Sequence, residues 1–211
     1  DVVIFADGTH AAVIRMDGKA LALLDEDERY AERRRHHGVL RALAATNVTI
    51  YEHLVVHDRV EPFGIGRFRS AYAESLCRDY HAAIAPGLVA RDWFLTIMVR
   101  PDRLNGFLRQ LRGREPQADE SLIQQLDDLC AVVARAMPDY APRRLGVRRV
   151  RGVTFSEIGE AMRLALYARW LPVPMPHGKL SSAIYTDRIL CDRAGVEIQA
   201  PDATTFARTF G

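Results

Sequence analysis

Trp93-Phe94-Leu95-Thr96-Ile97-Met98-Val99 is a run of almost unbroken apolar side chains, without the polar alternation of a half-exposed strand. A short continuous run of aromatic and β-branched residues reads as a central strand buried on both faces. Such a strand needs neighbours in its sheet and cover above and below. The flanking sequence must supply both.

Upstream, Val48 to Val56 alternates. Val48, Ile50, Leu54 and Val56 point one way, with Glu52 the exception, and Thr49, Tyr51, His53, Val55 and His57 point the other. This predicts a half-buried strand. Glu61-Pro62-Phe63-Gly64 breaks it, and a helix follows from about Arg67 to Ile84. Phe68, Tyr72, Leu76 and Tyr80 recur every four residues and are expected to form its core stripe. Pro86-Gly87 stops it. Nearer the start, Val2 to Phe5 and Ala11 to Met16 flank an Asp7-Gly8 turn and read as a hairpin. Lys19 to Leu24 is a candidate third strand. Asp25 with Glu28 makes a capping box for a charged helix to about Ala45, with Tyr30, His37, Leu40 and Ala44 near one face.

Downstream, Pro101 opens a short helix to about Leu111, and Ala118 to Met137 forms a longer one with Leu122, Leu126, Leu129 and Val133 on one side. Pro138 and Pro142 flank a linker. Leu145 to Val153 reads as an arginine-rich strand. Ser156 caps a helix from Glu157 to Trp170, with the stripe Ile158, Met162, Leu166 and Trp170. Leu171 to Met175 alternates with Pro172, Pro174 and Pro176, so it is neither helix nor central strand. Ile184 to Cys191, Val196 to Gln199 and Thr204 to Phe210 read as strands. The expected fold is α+β, a mixed and largely antiparallel sheet arrangement packed with about five helices and closed by hairpins at both ends. One domain over 1–211 is expected, with a candidate sub-division near 138–143.

The 211 residues are 48% hydrophobic and 27% charged, enough to bury a core without staples. A net charge of +2 gives no strong field toward nucleic acid or anionic membrane. Only Lys19 and Lys179 are lysines among 29 basic residues. The bias suits phosphate or carboxylate binding, since arginine forks bidentately, but the arginines are spread along the chain, as codon usage in a GC-rich genome would produce. Cys77, Cys130 and Cys191 are odd in number and widely spaced, which argues against a disulfide framework and fits a reducing compartment. No apolar run approaches the roughly 20 residues that cross a bilayer. The chain opens inside a strand-like segment, without a basic leader, and stops just after another. These are expected to be cut ends, not natural termini.

Nucleotide hydrolysis on a P-loop needs Gly-x-x-x-x-Gly-Lys-Ser/Thr, because backbone amides wrap the phosphates and lysine neutralises them. Lys19 follows Gly18 but precedes Ala20; Lys179 follows Gly178 but precedes Leu180, with Val173 where the first glycine belongs. Neither fits. Ile189-Leu190-Cys191-Asp192 faintly resembles a second nucleotide motif and is better explained as a strand ending in a turn. His53 and His57 share a strand face, but a metal wants three or four convergent ligands. Cys77 and His81 lie one helical turn apart, without an orienting carboxylate, so the expected role of Cys77 is packing. No catalytic, cofactor-binding or metal-binding residue is assigned.

Two partner candidates remain. Trp170, Leu171, Val173 and Met175 lie in the proline-rich crossover: exposed they would form a docking patch, folded down a cover for the core. Arg143, Arg144, Arg148, Arg149 and Arg151 form the densest basic cluster and are candidates for phosphate contact. Only Phe155 is near them, so the aromatic interleaving of single-strand binders is missing.

Several stretches resemble the CagE/TrbE/VirB family, the large ATPase of type IV secretion and conjugation machines. They are Asn47-Val48-Thr49-Ile50-Tyr51 with His53-Leu54-Val55; Arg91-Asp92-Trp93-Phe94-Leu95-Thr96; Phe155-Ser156-Glu157-Ile158-Gly159-Glu160-Ala161 with Pro172-Val173-Pro174; and Ala183-Ile184-Tyr185-Thr186-Asp187-Arg188. They occur in order along most of the chain, specific as a set though weak singly. The resemblance implies that 1–211 is an amino-terminal domain whose ATPase core lies further on. It implies a parent that uses ATP and magnesium at the cytoplasmic face of the bacterial inner membrane and drives machine assembly and transfer of DNA or protein. The partners it implies are inner-membrane secretion-channel subunits and other copies of the ATPase, with translocated DNA a further candidate. No catalytic position of the family falls inside this chain. The alternatives are a nucleic-acid-binding module using Arg143 to Arg151, and a small enzyme using Cys77/His81 or His53/His57.

Overall fold

The apolar run at 93–99 lies inside an eleven-residue strand with a neighbour on each side. In the computed structural model, described for residues 2–19, 23–58, 66–84, 89–101, 118–167 and 170–184 and for the backbone of 188–191, 195–199 and 205–209, the elements run as follows. Strands β1 (Val3–Ile4) and β2 (His10–Met16) precede helix α1 (Glu26–Leu43). Strand β3 (Val48–Asp58), helix α2 (Ala71–Ile84) and strand β4 (Val89–Val99) follow. Helix α3 (Glu120–Ala136), a 3-10 turn at Pro138–Tyr140 and strands β5 (Arg143–Arg144), β6 (Val147–Val150) and β7 (Val153–Ser156) lead to helix α4 (Glu157–Tyr167). The short helix α5 (Ser181–Ile184) precedes strands β8 (Arg188–Cys191), β9 (Gly195–Gln199) and β10 (Thr205–Thr209). The fold is α+β with antiparallel sheets, as the residue patterns predict.

The main sheet has the order β1-β2-β4-β3, with β5 also pairing β2. β4 is buried on both faces. On one, Leu95, Ile97 and Val99 pack with Val39 and Leu43 of α1 and with Leu122, Leu126, Cys130 and Val133 of α3. On the other, Phe94 packs with Ile158, Ala161 and Leu164 of α4. Each fully buried aliphatic side chain contributes about 1.5–3 kcal/mol, so β4 joins the two cores. β8, β9 and β10 form a separate antiparallel sheet.

Local signals behave as expected where they are chemically specific. Asp25 accepts from the Glu28 amide at 2.8 Å and Glu28 reaches back to the Asp25 amide at 3.1 Å, completing the capping box. The Ser156 hydroxyl accepts from Gly159 N at 3.1 Å and starts α4. Gly8, at φ 83°, makes the first turn.

Elsewhere the structure differs. The face of α1 that is buried carries Val39 and Leu43, not Tyr30, and the helix ends at Leu43. The arginine-rich segment is a hairpin, not one strand. Arg151 and Gly152, at φ 50° and 84°, form the two-residue turn that closes Val150 against Val153. Trp170 lies outside the described helix α4, whose buried face is Ile158, Ala161, Leu164 and Tyr167. Ser181–Ile184 is helical, so the strand expected from Ile184 begins at Arg188. Lys19 is not in a strand, and 20–22 lie outside the described residues, as does the expected short helix up to Leu111. The largest difference concerns α2. It begins at Ala71, buries no residue, and leaves its expected core stripe in water. A four-residue period marks an apolar face but does not say what covers it.

The crossover packs on α4 at Gly159. A Cβ there would stand 2.8 Å from Val173 Cγ1 and 3.2 Å from its Cβ, both stiff atoms. Gly159→Ala is therefore expected to destabilise the protein by about 1–3 kcal/mol, despite alanine's better helix propensity. Urea unfolding checks this, and in a Val173→Ala background, which removes Cγ1, the cost of Gly159→Ala should be smaller.

Candidate partner interface

The crossover folds down. Val173 is fully buried, its carbonyl accepts from Ser156 N at 2.8 Å, and Met175 N donates to Thr154 O at 2.8 Å. Pro174 bridges Phe155, so this proline stretch borders β7. Val173 thus serves the core and is not available to a partner. Leu171 is half-buried, while Trp170 and Met175 keep 38% and 46% of their surface exposed.

Trp170 is held by a polar centre that the residue patterns did not reveal. Asp92 interrupts the apolar face of β4 and is buried. Its Oδ1 takes the Arg15 guanidinium at 2.7 Å. Its Oδ2 accepts from His57 Nε2 at 2.8 Å and from the Trp170 indole N–H at 3.3 Å. A carboxylate only accepts, so His57 donates from Nε2. Arg15 also lies over the Trp170 ring at 5.3 Å, and Phe94 meets its edge at 6.1 Å. A buried charge needs such partners. The signal was Asp92 beside the apolar run, legible only once β2, β3 and the crossover converge on it.

The arginine cluster is largely committed to carboxylates. Arg143 Nη1 donates to both Glu157 oxygens, at 2.8 and 2.9 Å. Arg144 pairs with Asp127 at 2.5 Å. Arg148 pairs with the buried Glu160 at 2.7 Å and lies over Phe155. Arg149 and Arg151 are exposed, one on β6 and one in the turn. Burial pushes the Glu157 carboxyl up, but the Gly146 amide and Arg143 outweigh it and hold it below its ordinary value near 4.5. A lowered carboxyl stabilises the fold above that value and loses the contribution as pH falls through the folded value. Glu157→Gln is therefore expected to flatten the acid limb of a stability–pH curve measured by urea unfolding, most visibly below about pH 4.5.

Among the described residues, half of the exposed large apolar groups fall between Tyr51 and Val89. On α2, Tyr72, Leu76 and Tyr80 are 77%, 59% and 61% exposed. Leu54, Val56 and Val89 are exposed on β3 and β4. Cys77 Sγ stands 3.8 Å from His81 Nε2 on α2. Among the described residues no three His, Cys, Asp or Glu side chains converge as metal ligands, and no helix is long and apolar enough to cross a membrane.

The sequence profile described as type IV secretion system ATPase VirB4/TrbE, N-terminal domain, matches residues 1–106. The chain belongs to this VirB4/TrbE family. Protein virB4 of Agrobacterium fabrum (strain C58 / ATCC 33970) is 38% identical over 95% of the chain. The type IV secretion system protein virB4 of Bartonella quintana (strain Toulouse) is 25% identical over 82%, and that of Brucella suis biovar 1 (strain 1330) 22% identical over 98%. The chain spans about a quarter of the length of these relatives, 26%, 23% and 26% respectively. For this VirB4/TrbE chain, a nucleic-acid role for the arginine hairpin has only Arg149 and Arg151 outside those ion pairs. Titration with a single-stranded oligonucleotide should then give a log K against log salt slope no steeper than about −1.4, the value for two phosphate contacts.

Proposed function

We propose that this chain is the docking and assembly part of a type IV secretion ATPase. In this reading the parent protein hydrolyses ATP with magnesium, using sequence outside these 211 residues. The chain holds that motor at the cytoplasmic face of the inner membrane, against secretion-channel subunits and neighbouring copies. Machine assembly and transfer of DNA or protein are the work so energised.

The observation that carries the reading is the bare apolar face of α2. Tyr72, Leu76 and Tyr80 fall within 80° of one another around the helix, at 100° per residue. Soluble monomers rarely leave contiguous apolar surface of this kind, and where it occurs it marks an interaction site. Tyrosine favours such a role, because its ring packs while its hydroxyl meets water. Trp170 and Met175, on the proline-rich crossover, form a second, smaller candidate contact. A helix ridge recognises an apolar groove or helix, which fits a protein partner better than a phosphate backbone.

The test uses the full-length parent carrying Tyr72→Ala, Leu76→Asp and Tyr80→Ala. Recovery of the inner-membrane channel subunits from detergent-solubilised membranes is expected to fall at least roughly tenfold, a loss on the hot-spot scale, with thermal unfolding of the 211-residue chain unchanged. Unchanged recovery of those subunits would sink the reading.

A further inference from the structure

The β6–β7 hairpin is lined on one side only. Ser156 N donates to Val173 O and Met175 N to Thr154 O, each at 2.8 Å, so the crossover runs along β7. The pairing fixes which backbone groups of β6 face away. Val150 and Val153 close the two-residue turn, and Arg148 stands opposite Phe155. In an antiparallel ladder such hydrogen-bonded pairs alternate with residues whose N–H and C=O point outward. On β7 those residues are Thr154 and Ser156, and the crossover meets them. On β6 they are Val147 and Arg149. Among the described residues no strand lies beyond β6, so these two residues present two donors and two acceptors along an open edge.

The side chains limit what can take that edge. All four residues of β6 are exposed. Val147, 48% exposed, and Arg149 share one face by the two-residue period. Arg149 stands outside the ion pairs that hold Arg143, Arg144 and Arg148, and so does Arg151 in the adjoining turn. A second copy of this edge would set arginine against arginine, the arrangement by which natural edges resist pairing with themselves. A nucleic-acid backbone answers the charge, but phosphates only accept and give the outward carbonyls no donor. An acidic strand answers both.

We propose that the outer edge of β6 binds an acidic, extended peptide segment of a protein partner as an added antiparallel strand. Main-chain hydrogen bonds hold such a strand, and alternate side chains select it. The register gives the selection. The residue opposite Arg149 carries a carboxylate. The residue two further on meets Val147 and is β-branched and apolar. The residue two before lies beside the turn and brings a second carboxylate to Arg151. The preferred segment is therefore Glu-x-Glu-x-Val.

The inference names a partner chemistry for the docking reading and uses a surface separate from α2. The probe is fluorescein-Thr-Glu-Thr-Glu-Thr-Val-Thr-amide, titrated with the 211-residue chain and read by fluorescence anisotropy. Saturable binding with a dissociation constant below about 1 mM is expected. Arg149→Glu should weaken it at least roughly fivefold, with circular dichroism unchanged, and replacing the probe's second glutamate by lysine should restore binding to that variant. N-methylation of the second glutamate's amide, which faces the Arg149 carbonyl, should abolish binding; N-methylation of the threonine after it, whose amide faces away, should not. Absence of saturable binding, an Arg149→Glu variant as tight as the parent, two N-methyl probes that behave alike, or a single-stranded oligonucleotide that binds this edge more tightly than the probe overturns the proposal. The chain carrying Tyr72→Ala, Leu76→Asp and Tyr80→Ala should bind the probe as the parent does, and a loss there overturns it too. If the probe binds while those α2 variants retain the channel subunits, the α2 reading fails alone.

Discussion

Burial of β4 on both faces is the constraint on which the molecule rests. A strand with apolar groups on both sides is stable only between two layers, and this one receives α1 and α3 on one side and α4 on the other. Both helical layers are tied to one backbone. The same placement makes Asp92 costly. A carboxylate in the middle of such a strand must be compensated from three directions, and Arg15, His57 and Trp170 supply that compensation from β2, β3 and the crossover. The polar centre thus links the start of the chain to its later part.

The cover is not uniform. Near Val99 the β3–β4 pair lies beneath α1 and α3, and Val48 and Ile50 are drawn into the core. Towards Val89, Leu54 and Val56 are exposed on one face of β3, while Val55 packs with α4 on the other. Ion pairs lie along the whole described chain: Arg15 and His57 with Asp92 and His36 with Glu52 on the sheet, Arg78 with Glu74 on α2, and Arg143 with Glu157, Arg144 with Asp127 and Arg148 with Glu160 among the later elements.

Legibility followed the range of the interaction. The Asp25–Glu28 box and the Ser156 cap are set within three residues, and both are in place. The central strand was legible because its run of seven residues, six of them apolar, admits no exposed face. The α2 stripe has the periodicity of a core helix, and that period is blind to whether another element arrives. The arginine segment was read as one strand because Arg151-Gly152 is a weak turn signal beside Asn-Gly or Asp-Gly; two positive φ values reveal it. Trp170 fits a helical stripe by spacing, yet the indole leaves the helix to reach Asp92.

The residues by themselves determined the α+β class, the buried strand at 93–99, the capped helix starts and the failure of Gly18-Lys19 and Gly178-Lys179 to make a P-loop. These depend on local chemistry and on side-chain polarity, which travel with the chain. Only the tertiary structure decided that Val173 is core while Trp170 and Met175 are surface, that three of the five arginines face carboxylates, and that the aromatic face of α2 lies open. Those outcomes depend on which distant segments meet, and burial belongs to the meeting rather than to the residue.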